Sequence, residues 1–473
     1  MDYKIKIGVA PTRRFIFSKE DALKFKRLTL EKLSQLGLEY VDIDDINDEG
    51  LLYDEKDVKK VIEKFRKEEI DALFFPHCNF GTEDLVGKVA SAFKLPVLLW
   101  GPKDEMPLPG GGRLRDTQCG LFATGKVLRR FNTPFTYIPN CRLEEEAFER
   151  GLKNFVAASN VVKELKNLKI LQIATRPADF WTMMYNEGEL LEKFGIQIRP
   201  ITMTDFTSKI LEIEEENGVK LKETIEFIKN NVEVNVPDKD VKRIAALKLA
   251  INSFVEKLSC KAVAIQCWSS LQDALKIMPC MANSLLTDEG IPVACETDIH
   301  GAITSVIAQA AVMGKTPTFF ADWTVAHPEN KNGELLQHCG PWPISLMKAG
   351  TKAKLGIPFA LDNQCSGAVH GEIKGGDISI LRFDGDHGEY SMLLGSAKGI
   401  KGPFITGTYL WIEVLNLKKL EDKLVTGPYV HHCVGVHADV VPVVYEACKY
   451  IPGLKPDLYD DNEEDVKAFL RGE

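Results

Sequence analysis

The sequence predicts an α/β protein with two doubly wound parallel-sheet domains followed by a mostly antiparallel, β-barrel-like C-terminal domain. Up to about residue 340, short β-branched and aromatic runs alternate with longer amphipathic stretches, which is typical of βαβ units. Beyond that residue, glycine and proline become frequent and short strand-like runs follow one another without long helices between them. This pattern of short strands joined by turns is typical of antiparallel sheets.

The first predicted domain covers residues 1–166 and begins directly with a strand-like pattern. Its apolar runs predict strands at 5–10, 40–43, 72–76, 96–101 and 135–139. The amphipathic stretches between them predict helices near 19–36, 56–67, 82–93, 117–131 and 143–165. Strict alternation of the two patterns indicates a parallel sheet covered by helices on both faces.

The second predicted domain covers residues 167–340, and the third covers 341–473. Strands of a second parallel sheet are predicted at 168–173, 196–201, 262–266, 292–295 and 316–320, with 207–258 forming helices outside that sheet. In the third domain, strands are predicted at 368–373, 378–383 and 390–394, and a helix at 440–450.

Composition excludes several classes of protein. The net charge of −9 over 473 residues opposes nucleic-acid binding. No apolar run approaches the roughly 18 residues of a membrane span. The N-terminal residues show no secretion-signal pattern, so we expect a cytoplasmic protein. Eleven cysteines, an odd number with no CxxC pair, indicate free thiols and not a structural zinc site.

Two acidic residues stand where strands of the second domain are predicted to end. Glu296 follows the run 292–295, and Asp322 follows the apolar run ending at Ala321. If these strands are neighbours, both carboxylates lie on one rim of the sheet, where they would suit a divalent cation or acid–base catalysis. The alternative is that each acid caps a helix. Asp298 is the better candidate for a cap, and His300 is expected to be a packing or surface residue.

Three histidines could complete a metal site with these acids. His431 and His432 are adjacent in a strand-like run, so strand alternation predicts that only one of them faces a given site. His338 lies in a loop rich in glycine and proline at the junction of the second and third domains. Imidazole is a common ligand of transition metals. The alternative is that these histidines are hydrogen-bonded polar residues at a sheet edge.

Other polar residues follow predicted strands and could contact a ligand. Gln266 and Trp268 offer an amide and an aromatic face, which suits sugar binding. Arg13 and Arg14 follow the first strand and could meet an anionic or hydroxyl-rich ligand, although surface arginines are common. His77 lies in a strand-end loop of the first domain, where structural and functional roles are equally plausible.

These motifs resemble those of the L-fucose and L-arabinose isomerases. The run Cys295–Ala302, followed by the triplet Phe320-Ala321-Asp322, is similar to the paired motifs of L-fucose isomerases. This resemblance implies that Glu296 and Asp322 bind a divalent metal, usually manganese, and that they are the catalytic residues. The pair His431-His432 resembles one in L-arabinose isomerases, which implies that His432 binds the metal and His431 the substrate.

The resemblance also implies further site residues and an assembly. On the resemblance to L-arabinose isomerases, His338 corresponds to an additional ligand histidine. Gln266 and Trp268 correspond to a substrate-binding loop, and the loop 76–83, with His77 and Asn79, to one that reaches a neighbouring subunit's site. Family members have two α/β domains and a C-terminal β domain. They assemble as homotrimers or homohexamers with sites at subunit interfaces.

The expected activity is metal-dependent interconversion of an aldose and a ketose through a cis-enediol. The resemblance implies a free sugar as substrate: L-fucose, D-arabinose, L-arabinose or a related sugar. Two alternatives stay open. One is an isomerase of an anionic or otherwise modified sugar, recruited by Arg13 or Arg14. The other is a non-catalytic cytoplasmic sugar-binding protein, since two α/β domains around a cleft describe both.

Overall fold

The computed structural model describes residues 4–358, 364–460 and 462–473. The chain forms two compact units. The first unit consists of Asp2–Lys163, Tyr445–Ile451 and Glu463–Glu473, and the second contains Glu164–Val444 and Pro452–Asn462. The three-domain boundaries at residues 166 and 340 stay a prediction.

A parallel five-stranded sheet forms the centre of the first unit, with strand order β2-β1-β3-β4-β5. The elements are β1 (Lys6–Val9), α1 (Lys19–Gln35), β2 (Glu39–Val41), α2 (Glu55–Lys67), β3 (Ala72–Pro76), α3 (Glu83–Ser91), β4 (Val97–Trp100), α4 (Thr117–Arg130), β5 (Thr136–Tyr137) and α5 (Glu146–Leu165). Side-chain caps start the helices: Ser18 Oγ accepts the Asp21 N–H at 3.1 Å. All the strands and helices predicted here are confirmed to within a few residues.

The second unit begins with a smaller parallel sheet of order β10-β9-β6-β7. Its elements are β6 (Lys169–Ile173), α6 (Glu187–Phe194), β7 (Gln197–Ile201), α7 (Met203–Glu216), α8 (Val219–Asn231), β8 (Glu233–Val234), α9 (Asp238–Leu258), β9 (Ala262–Ile265), α10 (Ser270–Leu275), α11 (Cys280–Asp288), β10 (Val293–Ala294) and α12 (Ile299–Ala311). The predicted helical segment at 207–258 corresponds to α7, α8 and α9, so that prediction is confirmed.

A closed antiparallel barrel of six strands follows in the same unit. The remaining elements are β11 (Phe319–Ala326), β12 (Gly333–His338), β13 (Lys354–Gly356), β14 (Ala368–Glu372), β15 (Asp377–Asp386), β16 (Glu389–Ile400), β17 (Thr408–Glu413), α13 (Leu417–Thr426), β18 (His432–Val436), α14 (Val441–Cys448), β19 (Leu454–Leu458) and α15 (Glu463–Arg471). The ring runs β16-β15-β18-β11-β12-β17 and closes by pairing of β16 with β17. The predicted α/β class with a barrel-like β region is confirmed.

One strand prediction is wrong. The run 316–320 was expected to continue the second parallel sheet, but β11 lies in the barrel, antiparallel to both β12 and β18. Its first residues are apolar because they face the barrel core, where Phe319 and Ala321 pack with Leu336, Leu410 and Cys433. A short apolar run is equally suited to either sheet.

Two features of the composition can be checked against the described residues. No helix among them is long and apolar enough to cross a membrane. All eleven cysteines lie in the described ranges and all are free thiols, ten of them wholly or partly buried. The prediction of free cysteines is therefore confirmed.

Candidate metal centre

Four predicted residues of the second unit come together in one buried cluster. Glu296 follows β10, Asp322 lies on β11, His338 ends β12 and His432 begins β18. The Nε2 atom of His432 lies 3.4 Å from Glu296 Oε2 and 3.4 Å from Asp322 Oδ1. The Nε2 atom of His338 lies 3.6 Å and 3.9 Å from the same two oxygens. Two carboxylates and two imidazoles therefore converge on one point.

The barrel register explains how three of these residues meet. Asp322 lies directly opposite His432 in the antiparallel pair of β11 and β18, which places their side chains side by side. Strand β12 pairs with the other edge of β11 and ends at His338. Glu296 comes from the parallel sheet, and Gly301 of α12 brings its segment against β11: a Cβ at Gly301 would lie 2.4 Å from Phe320 Cε2.

The atoms that point into the cluster lack hydrogen-bond partners. Glu296 Oε2, Asp322 Oδ1 and His338 Nε2 are all buried, and none of them makes a hydrogen bond to any described residue. Burying such atoms unpaired costs about 1–3 kcal/mol each. Their separations are too long for hydrogen bonds but suit ligands of one shared ion. The donor set of imidazole nitrogens and carboxylate oxygens fits a divalent transition metal, and a Glu296, His338 and His432 group meets the spacing for a metal site.

The electrostatics of the cluster favour positive charge at its centre. Burial raises the pKa of Glu296, but the charges of His338 and His432 outweigh burial and hold that pKa well below its usual range. Burial lowers the pKa of His432, but Asp298 and Glu296 overcome it and raise the pKa to about 9. For His338, burial is likewise overcome by Asp322, Cys339 and Glu296, so its pKa is raised. The negative charge that stabilises protons on these histidines would also stabilise a bound cation.

A second layer of charged residues holds His432 in place. Asp298 Oδ2 lies 2.8 Å from Nδ1 of His432, so Nε2 of His432 is left to face the cluster. Arg382, on β15, pairs with both Asp298 and Asp384. Asp384 in turn lies 2.9 Å from Nδ1 of His300. Carboxylate partners of this kind fix the tautomer and orientation of a ligand histidine.

Asp298 is also the helix cap that the sequence predicts. Its Oδ1 accepts the Gly301 N–H at 2.8 Å, which caps α12. The same carboxylate therefore starts the helix and orients His432. His300 is buried as expected for a packing residue, and its ring also contacts Phe383.

Backbone strain collects where three parallel strands end beside this cluster. Non-glycine residues with positive φ follow β6, β9 and β10: Ala174 (62°), Ser269 (63°), Glu296 (53°) and Thr297 (58°). Such conformations cost about 1–3 kcal/mol each and persist only where the surroundings fix them. The carboxyl ends of parallel strands are where α/β sheets bind ligands, so this strain is consistent with a functional site.

A cavity of about 740 Å³ lies beside the cluster. Its lining includes the predicted Gln266, together with Thr297, Ser269, Tyr185 and Arg176. The predicted Trp268 is half-buried and packs edge-to-face on Phe180, with ring centroids 5.3 Å apart. The ring of His431 lies 6.1 Å from that of Phe180. The amides, the hydroxyls and the Tyr185 ring that line the cavity suit a sugar.

The rings of the two adjacent histidines lie close together. The ligand atoms of Asp322, His431 and His432 lie within 4.8 Å of one another, and the two imidazole ring centroids are 4.2 Å apart. His431 lies one residue before β18, and its carbonyl accepts the Trp323 N–H at 2.8 Å. The expectation that only one of the pair faces the site stays a prediction. His431 is exposed, whereas His432 is buried.

The other predicted site residues lie in the first unit. Arg13 makes a two-pronged ion pair with Glu49, with distances of 2.6 and 2.9 Å, and Arg14 pairs with Glu83. The Asn79 side chain accepts the Arg14 and Gly81 N–H groups at 2.7 and 3.2 Å. His77 is buried, its Nδ1 lies 2.9 Å from the Phe80 carbonyl, and burial lowers its pKa to about 4. Their predicted roles in substrate binding stay predictions.

Comparison with known proteins shows which family this chain is similar to. Residues 8–166 match the family described as fucose/sulfoquinovose isomerase, N-terminal domain. A sulfoquinovose isomerase of Priestia aryabhattai is 26% identical over 395 residues, 83% of this chain and 86% of that protein. Another, from Alkalicoccus urumqiensis, is 25% identical over 378 residues, 80% of this chain and 83% of that protein. By these matches the chain is fucose isomerase-like. It is an aldose-ketose isomerase.

This assignment confirms the family resemblance and the enzyme class. It gives no support to the alternative of a non-catalytic sugar-binding protein. Among solved structures, a periplasmic solute binding protein from Actinobacillus succinogenes with bound D-allose is 12% identical and covers 65% of this chain and 92% of that one. Its TM-score of 0.16 is too low to indicate a shared fold.

Three residues of this fucose isomerase-like chain were missed by sequence reasoning. Arg382 lies on β15, and the Cys267 sulfur contacts Glu296 Oε1 at 3.4 Å. No feature of the sequence around either residue distinguishes it from a core residue. Arg176 did carry one: it is a cation three residues beyond a predicted parallel strand.

Proposed function

We propose that this enzyme interconverts an aldose and a ketose at a divalent metal, with manganese as the expected ion, held by Glu296, Asp322, His338 and His432. The observation that carries the proposal is the convergence of buried ligand atoms without hydrogen-bond partners. When bound, the metal supplies Lewis-acid polarisation of the substrate carbonyl and the neighbouring hydroxyl. Polarisation makes the C2 proton acidic, which favours a cis-enediol route.

The two carboxylates have different parts in moving the proton between C1 and C2. Asp322 is the more accessible to substrate, with 30% of its side chain exposed against 10% for Glu296. One oxygen of Glu296 accepts from the Cys267 thiol and the other faces the cluster. Asp322 therefore contacts the sugar and takes up the proton, and Glu296 holds the negative charge that balances the site.

Around the reacting carbons, neutral groups bind and orient the sugar. Gln266 and Thr297 line the cavity beside Glu296 and offer an amide and a hydroxyl. Trp268, Phe180 and His431 provide the apolar face of the site. Burial lowers the pKa of His431, so its neutral imidazole can exchange hydrogen bonds with sugar hydroxyls.

The substrate class is the open part of this proposal. The neutral sugars L-fucose, D-arabinose and L-arabinose are one candidate class. Anionic sugars are the second candidate class. The two relatives compared above favour this class, because each is described as a sulfoquinovose isomerase. A cytoplasmic location and a homotrimer or homohexamer with sites at subunit interfaces are also parts of the proposal.

A panel assay tests the activity. The protein is treated with a chelator and dialysed. It is then incubated with L-fucose, D-arabinose, L-arabinose or sulfoquinovose, with and without added Mn²⁺, and the ketose formed is measured. We expect ketose from at least one aldose, and only when the metal is restored. Equal turnover with and without metal would contradict the metal dependence, and no ketose under any condition would contradict the proposed activity.

A further inference from the structure

The cavity beside the metal cluster contains one cation, Arg176. Among the described residues that line it, the others are neutral except Glu187. The guanidinium Nη1 donates to the backbone carbonyls of Pro177 and Ala178 at 3.0 and 2.7 Å. Within the described part of the chain, the hydrogen bonds of Arg176 go to these two carbonyls and none goes to a carboxylate.

The two arginines that the sequence predicts for an anionic ligand differ from Arg176 in their ion pairing. Arg13 and Arg14 are both paired with carboxylates, Glu49 and Glu83 respectively. Their charges are therefore neutralised within the protein. Arg176 uses only Nη1 to hydrogen-bond its own loop, and no carboxylate of the described residues neutralises its charge. An arginine in this state can bind an anionic group of a ligand.

The residue before Arg176 is hydrogen-bonded to the segment that carries Glu296. The hydroxyl of Thr297, the residue after Glu296, donates to the Thr175 carbonyl at 3.2 Å. Arg176 is thus one residue from a direct contact with the segment that carries a metal ligand. A sugar with C1 and C2 at the metal cluster can extend its far end into the cavity where Arg176 lies.

The floor of the cavity is held rigid by its own hydrogen bonds. The Tyr185 hydroxyl donates to Gln172 Oε1 at 2.6 Å, and Gln172 Nε2 donates to the Ala174 carbonyl at 2.9 Å. These contacts fix the loop that follows β6, where Ala174 already has a positive φ. A preorganised loop reduces the cost of ordering Arg176 around a ligand.

We infer that Arg176 binds a sulfonate or similar anionic group on the sugar carbon farthest from the carbonyl. This inference rests on the proposed function, because it takes the metal cluster as the place of C1 and C2. Its new element is the residue: Arg176 selects a sugar with a terminal anion over a neutral sugar.

Equilibrium binding by isothermal titration calorimetry tests this without turnover. Sulfoquinovose, which carries a sulfonate at C6, is compared with 6-deoxy-D-glucose, which differs in lacking it. We expect wild type to bind the sulfonated sugar more tightly, and Arg176→Gln to reduce the ratio of the two dissociation constants roughly 10- to 100-fold, as for loss of a hydrogen bond to a charged group. Arg176→Lys keeps the charge and should retain part of the preference.

Arg199 offers a matched control, since it is an exposed arginine on β7, opposite Leu171 of β6. Arg199→Gln should leave the ratio unchanged, and thermal unfolding should show both Gln variants folded. An unchanged ratio in Arg176→Gln, or a wild type without preference for the sulfonated sugar, would overturn the inference. Preference lost in Arg176→Gln but no ketose from wild type would overturn the proposed activity alone.

Discussion

Two histidine-bearing sites at strand ends differ in how their charged groups are paired, although His77 Nε2 is also buried without a hydrogen-bond partner. In the first unit, the side chains of Arg13 and Asn79 pair with Glu49 and with backbone groups, and burial lowers the pKa of His77 to about 4, so its ring is neutral. In the second unit, the negative charges around His432 raise its pKa to about 9. Unpaired charges of both signs in one buried cluster indicate a ligand, whereas a paired network indicates structure.

The sharpest test of this contrast removes a cluster carboxylate. Glu296→Gln and Asp322→Asn should each lower isomerase turnover about a thousandfold or more, because the metal and the proton both lose their acceptor. Glu289→Gln is a matched control, since Glu289 forms a half-exposed ion pair with Lys248 and should retain activity. Near-normal turnover of the two cluster variants, with far-UV circular dichroism unchanged, would remove the basis for the assignment.

Asp298→Asn tests the layer behind the cluster. The substitution removes the negative charge that pairs with Arg382. It also leaves one acceptor oxygen where Asp298 uses two, for the Gly301 N–H and for His432 Nδ1. We expect the free energy of unfolding to fall by about 3–5 kcal/mol and Mn²⁺ affinity to fall about 10- to 100-fold. Denaturant titration and calorimetry measure the two effects. Loss of stability with unchanged metal affinity would show that Asp298 is only a cap and an ion-pair partner.

Glu334 provides a pH test away from the cluster. Burial raises its pKa to about 7 from 4.5, so the folded state binds a proton that the unfolded state has released. Stability should therefore fall as pH rises from 4.5 to 7, by about 2 kcal/mol after allowance for partial exposure. Glu334→Gln should remove most of that dependence in urea titrations across this range. Parallel curves for both proteins would contradict the assignment.

The smallest expected effect concerns the paired network of the first unit. Glu49→Gln weakens the ion pairs with Arg13 and Lys19 but keeps an acceptor, so we expect a loss of about 1 kcal/mol of stability. Mn²⁺ affinity should not change. A fall in metal affinity would show that this network belongs to the metal site and would break the comparison.

The sequence predicted the helices and strands of the first unit well, because their periodicity is local. It predicted that Glu296 and Asp322 lie close together, and both lie 3.4 Å from His432 Nε2. The reason was partly wrong, because they do not end neighbouring strands of one sheet: β11 lies in the barrel. The family motif pointed to the same two residues without using the topology, and their roles at a metal stay a prediction. Arg382 and Asp384 could not be predicted, because they reach Asp298 and His300 across 84 positions of sequence.

Metal content tests the central claim most directly. The full-length protein is loaded with Mn²⁺, freed of excess metal, and measured by elemental analysis beside His432→Gln and, as a buried-histidine control, His77→Gln. The account predicts about one Mn²⁺ per chain in wild type and in His77→Gln, and little or none in His432→Gln. No tightly held metal in wild type, or an undiminished content in His432→Gln, would contradict it.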